Sequence, residues 1–410
     1  ALSDLTVRVD AARTMSTLLE ERGASGAAEV TVLEIPVPTT RTIRMMDTLR
    51  AAGVVTTSVH YAPHASTLTG LGFRSIPFTN RKFSLLAHVQ KHLKQVQTAE
   101  PDTPDGRLRE LYHAMLDVPV PATRHIWQDL KIWSQEWFDV ARVLVENPSP
   151  VFWAADLNAL PPAVWAKHAL PGTRVILDAH ELFTELDYVD PTQRAEWEDI
   201  SQTFLPEVDL VITVGYGIAD ELRRRYGIQR VEVIESLAAP TRSPRSHVRR
   251  EIGLDDGTPL VVHIGNVSGN RNPLLAVRLL EHDTRMHFAF VGVVKGVMSD
   301  TLRAAAEAAG VLDRLHLVDS VPRDELQHFL STADASAILY SPRTSENLRL
   351  AMPNKLFDAL GAGLQCVAAV GTTAGEYLQR ERIGLAFEDG DAGSLAAALQ
   401  KRRPSSPERD

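Results

Sequence analysis

Short apolar strands alternate with helices along most of the chain, and this alternation constrains the fold more than any other feature. In the first half the predicted strands are Thr31 to Ile35, Val54 to His60, Val151 to Trp153, Val175 to Leu177, Leu210 to Val214 and Val231 to Ile234. In the second half they are Leu260 to Ile264, His287 to Val291, Leu315 to Val318, Ala335 to Tyr340 and Gln365 to Ala369. The pattern predicts an α/β fold in which parallel sheets are covered by helices on both faces.

The alternation occurs in two blocks, and 410 residues are enough for two domains that each bury a core. We expect an N-terminal domain over residues 1–238, with a polar lead-in over 1–28, and a C-terminal domain over 259–410. The segment 239–258 carries prolines, arginines and an Asp-Asp-Gly turn, so it is the predicted interdomain linker. The tail from residue 402 is predicted to be disordered.

An insertion over residues 70–145 breaks the alternation with two apolar stripes at helical spacing. The first stripe is Phe83, Leu86, Val89, Leu93 and Val96, and the second is Ile126, Leu130, Trp133, Trp137, Ala141 and Leu144. We expect both stripes to pack against the core, as amphipathic helices usually do. A peripheral membrane contact is the alternative, because a basic helix with an aromatic face also suits a lipid surface.

Composition excludes several classes of protein. The single cysteine, Cys366, excludes an intramolecular disulfide and a cysteine-built metal cluster, which favours a reducing compartment. A net charge of −9 gives no reason to expect a nucleic acid as partner. With neither a long apolar run nor a targeting pattern, the expected location is the cytoplasm.

The segment from Met352 to Gly363 reads as a short helix that opens from a loop and ends at a glycine. Asn354 is its predicted N-cap. Lys355 then falls in the first turn, where the helix dipole disfavours a cation, so we expect an anion nearby. The alternative is a solvated ion pair between Lys355 and Asp358, three residues apart on one face.

Together with Ser345-Glu346-Asn347, the stretches Pro353-Asn354-Lys355-Leu356-Phe357-Asp358 and Gly363-Leu364-Gln365-Cys366-Val367 resemble the signature PNKLFEYLAAGLPVV of family 4 glycosyltransferases and their relatives. The resemblance implies the GT-B fold, in which two Rossmann-like domains face each other across a cleft. It also implies that a nucleotide-sugar donor lies over this motif.

The resemblance assigns roles to individual positions. Asp358 matches the acidic residue that holds the ribose diol in the family. The preceding glutamate of the family would fall at Leu350, so Glu346 or Asn347 is the candidate to replace its contact with the donor sugar. The predicted donor-binding residues are Gly265, Asn266, Arg271, Val321, Glu346, Asn347, Asn354, Lys355 and Asp358.

A second constellation lies in residues 265–273, between a predicted strand and a predicted helix. Gly265 and Gly269 let backbone N–H groups approach an anion, and Asn272-Pro273 is the predicted cap of a helix whose N-terminus favours negative charge. Arg271 adds a guanidinium suited to phosphate oxygens. In the resembling family this loop carries an arginine and a lysine that hold the diphosphate, and the matching positions are Asn266 and Arg271. A plain strand-to-helix turn is the alternative.

His180 is the third candidate. It lies in Asp178-Ala179-His180-Glu181-Leu182, directly after a predicted strand, where open sheets bind ligands. The stretch resembles the family's DAHEL motif, which faces the donor sugar. A histidine that only packs or hydrogen-bonds is the alternative.

Asp389-Gly390-Asp391 matches the spacing of a metal-binding aspartate pair. It also precedes a predicted helix over Ser394 to Leu399, so we interpret it as a turn with Asp391 as the helix cap. No metal and no cofactor are expected, and the nucleotide sugar is the substrate.

The resemblance implies a retaining glycosyltransferase that moves a sugar from a nucleotide sugar to a hydroxyl-bearing acceptor without metal. His180, Arg271 and Lys355 are the predicted catalytic residues. Cations and helix ends aimed at the diphosphate would stabilise the charge of the leaving group. The acceptor, which can be a sugar, a small molecule or a lipid-linked molecule, stays open together with the base, the sugar and the oligomeric state.

Two rivals remain. A nucleotide-sugar 2-epimerase of the same fold would bind the nucleotide-sugar donor in the same way. An inactive glycosyltransferase-like partner protein would explain Leu350, Asn266 and the expected lack of a C-terminal helix that returns to the first domain.

Overall fold

The structure is a computed structural model that describes residues 29–35, 40–61, 72–78, 85–118, 131–236, 246–292 and 296–401. The chain divides into two compact units, of which the first comprises residues 1–184 with 188–235 and the second comprises 185–187 with 236–410. The predictions for the lead-in, for Phe83, Ile126 and Leu130, for linker residues 239–245 and for the tail fall outside the described residues.

In the described part of the first unit, seven strands form one parallel sheet. They are β1 (Glu29–Glu34), β2 (Val55–Tyr61), β3 (Arg74–Phe78), β4 (Val151–Ala155), β5 (Arg174–Ala179), β6 (Leu210–Thr213) and β7 (Val231–Val233). Their order across the sheet is β3-β2-β1-β4-β5-β6-β7, with every neighbouring pair parallel. The chain order reverses between β1 and β4, which makes that position the switch point where such sheets bind ligands.

In the described part of the first unit the helices are α1 (Thr40–Ala51), α2 (Leu85–Val96), α3 (Pro104–Leu116), α4 (Lys131–Glu146), α5 (Leu160–Ala169), α6 (Pro191–Phe204) and α7 (Tyr216–Tyr226). The Asp190 carboxylate caps the start of α6, because it accepts the N–H groups of Thr192 and Gln193 at 2.8 and 2.9 Å. One face of α6 then buries Trp197 and Phe204 in the core.

The apolar stripes of the insertion pack inside the first unit where they are described. Val89 of α2 and Trp137 and Leu144 of α4 are fully buried. The Trp137 indole donates a hydrogen bond to the Asn158 carbonyl at 2.5 Å and meets the Trp165 ring edge to face. The expectation of core packing is confirmed for these residues. Within the described residues, no helix combines the length and apolarity that crossing a bilayer requires.

The insertion also contains a strand that the sequence analysis missed. β3 pairs with β2 at the edge of the sheet, so the alternation is not broken at residues 74–78. Only Phe78 of this strand is buried, and Pro77 interrupts its pattern. An edge strand tolerates a proline and one exposed face, which explains why its sequence lacks the apolar run of the central strands.

In the described part of the second unit, six strands form another parallel sheet. They are β8 (Leu260–Ile264), β9 (His287–Val291), β10 (Leu315–Val318), β11 (Ala335–Ile338), β12 (Gln365–Ala369) and β13 (Gly384–Phe387). Their order is β10-β9-β8-β11-β12-β13. The switch point of this sheet lies between β8 and β11.

The helices of the second unit are α8 (Val248–Glu251), α9 (Leu274–His282), α10 (Val297–Ala308), α11 (Leu326–Leu330), α12 (Glu346–Leu350), α13 (Asn354–Gly361), α14 (Thr373–Arg380) and α15 (Ala392–Gln400). One core cluster joins α9 and α15 to the sheet through Leu280, Phe288, Phe290 and Leu395. The prediction of two Rossmann-like α/β units is therefore confirmed.

Strand bounds in the second unit follow the sequence closely, since β8, β9, β10 and β12 are as predicted. β11 ends at Ile338, two residues before the predicted end. β13 and α14 were not predicted from the sequence. β13 is a four-residue strand at the edge of the sheet, and three of its four residues are only half-buried, so it resembles a loop in sequence.

Candidate functional site

The carboxyl edge of the second sheet brings three predicted site residues together. Gly265 directly follows β8, Arg271 lies in the loop that continues from it, and Lys355 lies in the first turn of α13, after β11. β8 and β11 flank the switch point of this sheet. Ligands of open parallel sheets bind outside the strand ends at such a point.

Two glycines allow the chain to pass closely at the end of β8. Gly265 has a φ of +90° and donates its N–H to the Val291 carbonyl at 2.8 Å. Gly292 has a φ of +145°, and a Cβ at this position would lie 2.5 Å from the Gly265 carbonyl oxygen. Only glycine fits at 292. Gly292 was not among the predicted site residues, and it packs directly against the backbone of Gly265, where the loop that carries Arg271 begins.

The start of α9 corrects the predicted cap. Residues Gly269–Arg271 form a single 3-10 turn, and Asn272 adopts a left-handed conformation with a φ of 52°. Pro273 alone occupies the N-cap position and provides no side-chain hydrogen bond. The left-handed Asn272 separates this turn from α9, so Arg271 belongs to the loop rather than to the helix.

Lys355 and Arg271 lie over the same aromatic ring. The Lys355 Nζ is 5.2 Å and the Arg271 guanidinium carbon 5.4 Å from the centroid of Tyr340. Lys355 is only 7% exposed, and among the described residues the buried Nε of Arg271 has no hydrogen-bond partner. Burial and, after it, the Arg271 charge lower the pKa of Lys355 well below its usual range. Two close cations of this kind form a site for an anion.

His263 completes this group, and the sequence analysis missed it. It lies in β8 with 1% exposure, and its Nε2 is 2.8 Å from the Lys355 Nζ. Its Nδ1 is 2.8 Å from the Ala337 carbonyl of β11. Burial, then the Lys355 charge, hold the pKa of His263 well below its usual range, although the bond to Ala337 opposes this shift. The ring is therefore neutral at physiological pH.

The start of α13 differs from the prediction. Pro353 takes the N-cap position without a side-chain bond, and Asn354 is the first helical residue. Lys355 and Asp358 are each only 7% exposed, so the interpretation as a solvated ion pair is wrong. Lys355 contacts His263 instead because its side chain points inward, toward the end of β8. Asp358 makes other interactions within the protein.

Glu346 and Asn347, the predicted donor-binding residues that precede α13, lie in α12. The Ser345 hydroxyl accepts the Leu348 N–H and caps α12, while Arg349 Nε donates to the Glu346 carboxylate at 2.7 Å. Asn347 is buried, and so is Leu350, at the position of the family's missing glutamate. Leu350 thus serves packing and brings no carboxylate to the site.

The other predicted donor residues are more dispersed. Asn266 is exposed in the loop after β8. Val321 is half-buried in the loop that follows β10, which is separated from β8 by β9. Their donor-binding roles stay predictions.

His180 belongs to the first unit and is held by two carboxylates. Its backbone N–H donates to the Asp156 carboxylate at 2.7 Å, and its Nδ1 lies 3.2 Å from the other oxygen of Asp156. Its Nε2 lies 3.3 Å from an oxygen of Asp178, at the distance of an ion pair but without the geometry of a hydrogen bond. The Arg41 guanidinium in turn donates to Asp178 and to the Ile234 carbonyl.

The charges of this network follow from its burial and contacts. Burial by itself lowers the pKa of His180, but Asp156 and Asp178 outweigh burial and raise the pKa well above its usual range. Burial by itself raises the pKa of Asp178, but Arg41 and His180 lower it to about 2. His180 is therefore an imidazolium at neutral pH. It can donate a proton or a hydrogen bond and cannot act as a base.

Asp156 stands in a strained conformation. Its φ of 67° and ψ of 164° fall in a region that is populated almost only by glycine. The position directly follows β4 at the switch point of the first sheet. Strain of this kind costs about 1–3 kcal/mol and concentrates at functional sites. Neither Asp156 nor Arg41 was predicted from the sequence, because no local motif marks them.

The aspartates at 389 and 391 have structural partners. Asp391 caps α15 by accepting the Ser394 N–H at 3.0 Å, which confirms the predicted cap. Asp389 accepts hydrogen bonds at 2.8 Å from the Ser341 hydroxyl and from Arg343 Nε. Asp389 therefore links the loops that follow β11 and β13, while Asp391 stabilises the first turn of α15.

Comparisons with known proteins agree with this arrangement. Residues 244–403 match the family model of glycosyl transferases group 1. Among curated proteins, no sequence matches the chain. Sucrose-phosphate synthase from Thermosynechococcus elongatus is a similar structure, with a TM-score of 0.63 and 13% identity over 91% of this chain and 89% of that chain.

Two further solved structures are similar at the same level. HepE from Anabaena, in complex with UDP and glucose, has a TM-score of 0.61 and 15% identity over 91% of this chain and 89% of that chain. A glycosyltransferase from Rickettsia africae has a TM-score of 0.62 and 11% identity over 91% and 87%. The chain thus has the GT-B fold, and the match to the glycosyl transferases group 1 model falls within its second unit.

Proposed function

We propose that the protein is a retaining glycosyltransferase that transfers a sugar from a nucleoside-diphosphate sugar to a hydroxyl-bearing acceptor. The observation that carries the proposal is the pair of cations Lys355 and Arg271 over Tyr340. Both lie at the switch point of the sheet, and neither forms a salt bridge within the described residues. A site that brings two basic side chains together without a carboxylate partner favours an anionic ligand such as a diphosphate, because the ligand's charge opposes the burial and repulsion that lower the pKa of Lys355.

The diphosphate is the leaving group of the proposed reaction. Negative charge grows on its oxygens as the bond to the sugar breaks. Arg271 offers a planar guanidinium and Lys355 a compact ammonium, and both stand close to where this charge develops. Because the site is already built before the reaction, the cations stabilise the transition state without reorganising.

Asp358 is the proposed acceptor of hydrogen bonds from the ribose diol. It is buried in α13, one turn after Lys355, so the ribose and the diphosphate would bind along one helix. HepE was crystallised with UDP-glucose, which supports a nucleotide sugar as donor for this chain as well. The base and the sugar are open.

His180 is the proposed group on the acceptor side. As an imidazolium between Asp156 and Asp178, it supplies a hydrogen bond or a proton rather than removing one. This refines the role expected from the sequence, since the proton released by the acceptor must go elsewhere.

The proposal includes independence from divalent metal. Arg271 and Lys355 provide the positive charge that a magnesium or manganese ion would bring to a diphosphate. Asp389 and Asp391 are engaged with Ser341, Arg343 and the first turn of α15.

The experiment that tests the proposal incubates the purified protein with a panel of nucleotide sugars and separates the products. Slow release of free sugar and nucleoside diphosphate from one donor supports the glycosyltransferase, because water replaces the missing acceptor. An epimerised nucleotide sugar would identify the 2-epimerase instead. Absence of turnover with every donor and acceptor, with nucleotide binding retained, would identify an inactive partner protein. The configuration of a product formed with a model acceptor tests retention.

A further inference from the structure

His263 is an unusual residue for its place in the fold. It lies in β8, a strand whose five residues are all buried, and its ring packs edge to face on Phe290. A buried polar ring is costly unless it is hydrogen-bonded. Both ring nitrogens of His263 are engaged, with Ala337 on one side and Lys355 on the other. The ring therefore connects Ala337, in the sheet, to Lys355, at the proposed diphosphate site.

The two contacts fix the tautomer. A carbonyl oxygen only accepts hydrogen bonds, so Nδ1 must carry the hydrogen that it donates to Ala337, 2.8 Å away. A neutral imidazole has one N–H, which leaves a lone pair on Nε2. That lone pair faces the Lys355 Nζ at 2.8 Å, where an ammonium donates. A doubly protonated ring would place two donors against each other at this distance.

We propose that His263 is a positioning residue that holds the Lys355 ammonium at the diphosphate site by accepting a hydrogen bond from it. The inference rests on the proposed donor site and deepens it. A carboxylate in the same place would bind Lys355 more strongly but would also cancel its charge and compete with the ligand. A neutral nitrogen orients the ammonium and leaves its charge available.

Three features of the site make such an acceptor necessary. Lys355 lies at the start of α13, where the helix dipole disfavours a cation. Arg271 repels it over the shared Tyr340 ring. Its long stem has many rotamers, so without an acceptor the ammonium would move toward solvent. The bond to His263 offsets these effects in the absence of ligand.

Two variants of His263 separate this role from a purely structural one. The amide of His263→Gln reaches the position of Nε2 and can accept from Lys355. The amide of His263→Asn reaches only the position of Nδ1 and can donate to Ala337. Positioning predicts that His263→Gln keeps the affinity for a nucleoside diphosphate within about 3-fold, while His263→Asn loses about 10-fold or more. A structural anchor between β8 and β11 predicts the reverse order.

Nitrogen NMR of wild-type protein labelled at histidine gives a readout that does not depend on variant folding. We expect one ring with hydrogen on Nδ1 and an unprotonated Nε2, whose resonance shifts in Lys355→Met. A ring protonated on Nε2 would overturn the inference.

The outcomes also separate this inference from the proposed function. If wild-type protein binds nucleoside diphosphate but both His263 variants bind as tightly as wild type, the role of His263 is wrong and the donor site stands. If wild-type protein binds no nucleoside diphosphate, the proposed function is wrong, and the proposed role of His263 is then wrong as well.

Discussion

Arg41 and Asp178 are 137 residues apart in the sequence, yet they form an ion pair of 2.9 Å in the interior of the first unit. Arg41 lies in the first turn of α1 and Asp178 near the carboxyl end of β5, and Asp178 is also 3.3 Å from the His180 Nε2. Because Asp178 is fully buried and Arg41 nearly so, neither charge is tolerable alone. The network of Arg41, Asp178, His180 and Asp156 therefore acts as one unit, in which the imidazolium is held protonated.

The raised pKa of His180 predicts how its contribution to stability depends on pH. A group whose folded pKa is raised stabilises fully below its unfolded pKa, about 6.5 for histidine. This contribution declines by up to about 1.4 kcal/mol per pH unit as pH rises toward the folded pKa. We expect the difference in unfolding free energy between wild type and His180→Gln to be largest at pH 6 and to shrink above it, as measured by urea unfolding.

The control for this measurement is His168→Gln, which removes an exposed histidine beside Glu207 in the same unit. Its effect on stability should be small at every pH. A difference for His180→Gln that stays constant from pH 6 to pH 9 would show that the network does not hold the proton.

Arg271→Ala should weaken nucleoside-diphosphate binding about 10- to 150-fold, the range expected for a lost hydrogen bond to a charged group. The variant should fold normally, because the described residues offer no hydrogen-bond partner to its buried Nε. The matched control is Arg278→Ala, on the exposed face of α9 in the same unit. Titration calorimetry at fixed salt measures both. Equal affinities for the two variants would remove Arg271 from the site.

Asp358→Asn tests the proposed ribose contact. The variant keeps the shape of a buried side chain but lacks the charge that strengthens hydrogen bonds from hydroxyl groups. Wild type should prefer a ribonucleoside diphosphate to its 2′-deoxy form, and this preference should fall about 5-fold or more in the variant. Asp256→Asn, at an exposed turn, serves as the control. An unchanged preference would place the ribose elsewhere.

Asp391→Ala tests metal independence together with the cap of α15. Loss of the cap should lower the free energy of unfolding by about 1 kcal/mol and leave donor affinity unchanged. Turnover should persist in excess chelator. If chelator abolishes turnover, magnesium or manganese restores it and Asp391→Ala removes it, the assignment of this aspartate as a structural cap is wrong.

The sequence predicts the elements of this fold because the central strands are buried on both faces and read as apolar runs. β8 is an example, and its bounds are as predicted. Edge strands give a weaker signal, which is why β3 and β13 were missed. Local motifs also singled out Lys355, Arg271 and His180 as candidates. The structure places His180 directly after β5, Arg271 in the loop after β8 and Lys355 in the first turn of α13.

The partners of these residues could not be predicted in the same way. His263 occupies a strand position that reads as core, and its meeting with Lys355 joins residues 92 positions apart. Arg41 contacts Asp178, and Asp156 contacts His180, only because β1, β4 and β5 lie side by side in the sheet. Such contacts depend on strand order and register, which composition and spacing do not determine.

The most direct test of the central claim is calorimetric binding of nucleoside diphosphates to wild type, to Lys355→Met and to Lys401→Met as an exposed control. Methionine fills the buried space without the charge, so the fold should be kept. We predict that wild type and Lys401→Met bind one nucleoside diphosphate equally, while Lys355→Met binds it about 30- to 150-fold more weakly at an unchanged melting temperature. Equal binding by all three proteins would contradict the account.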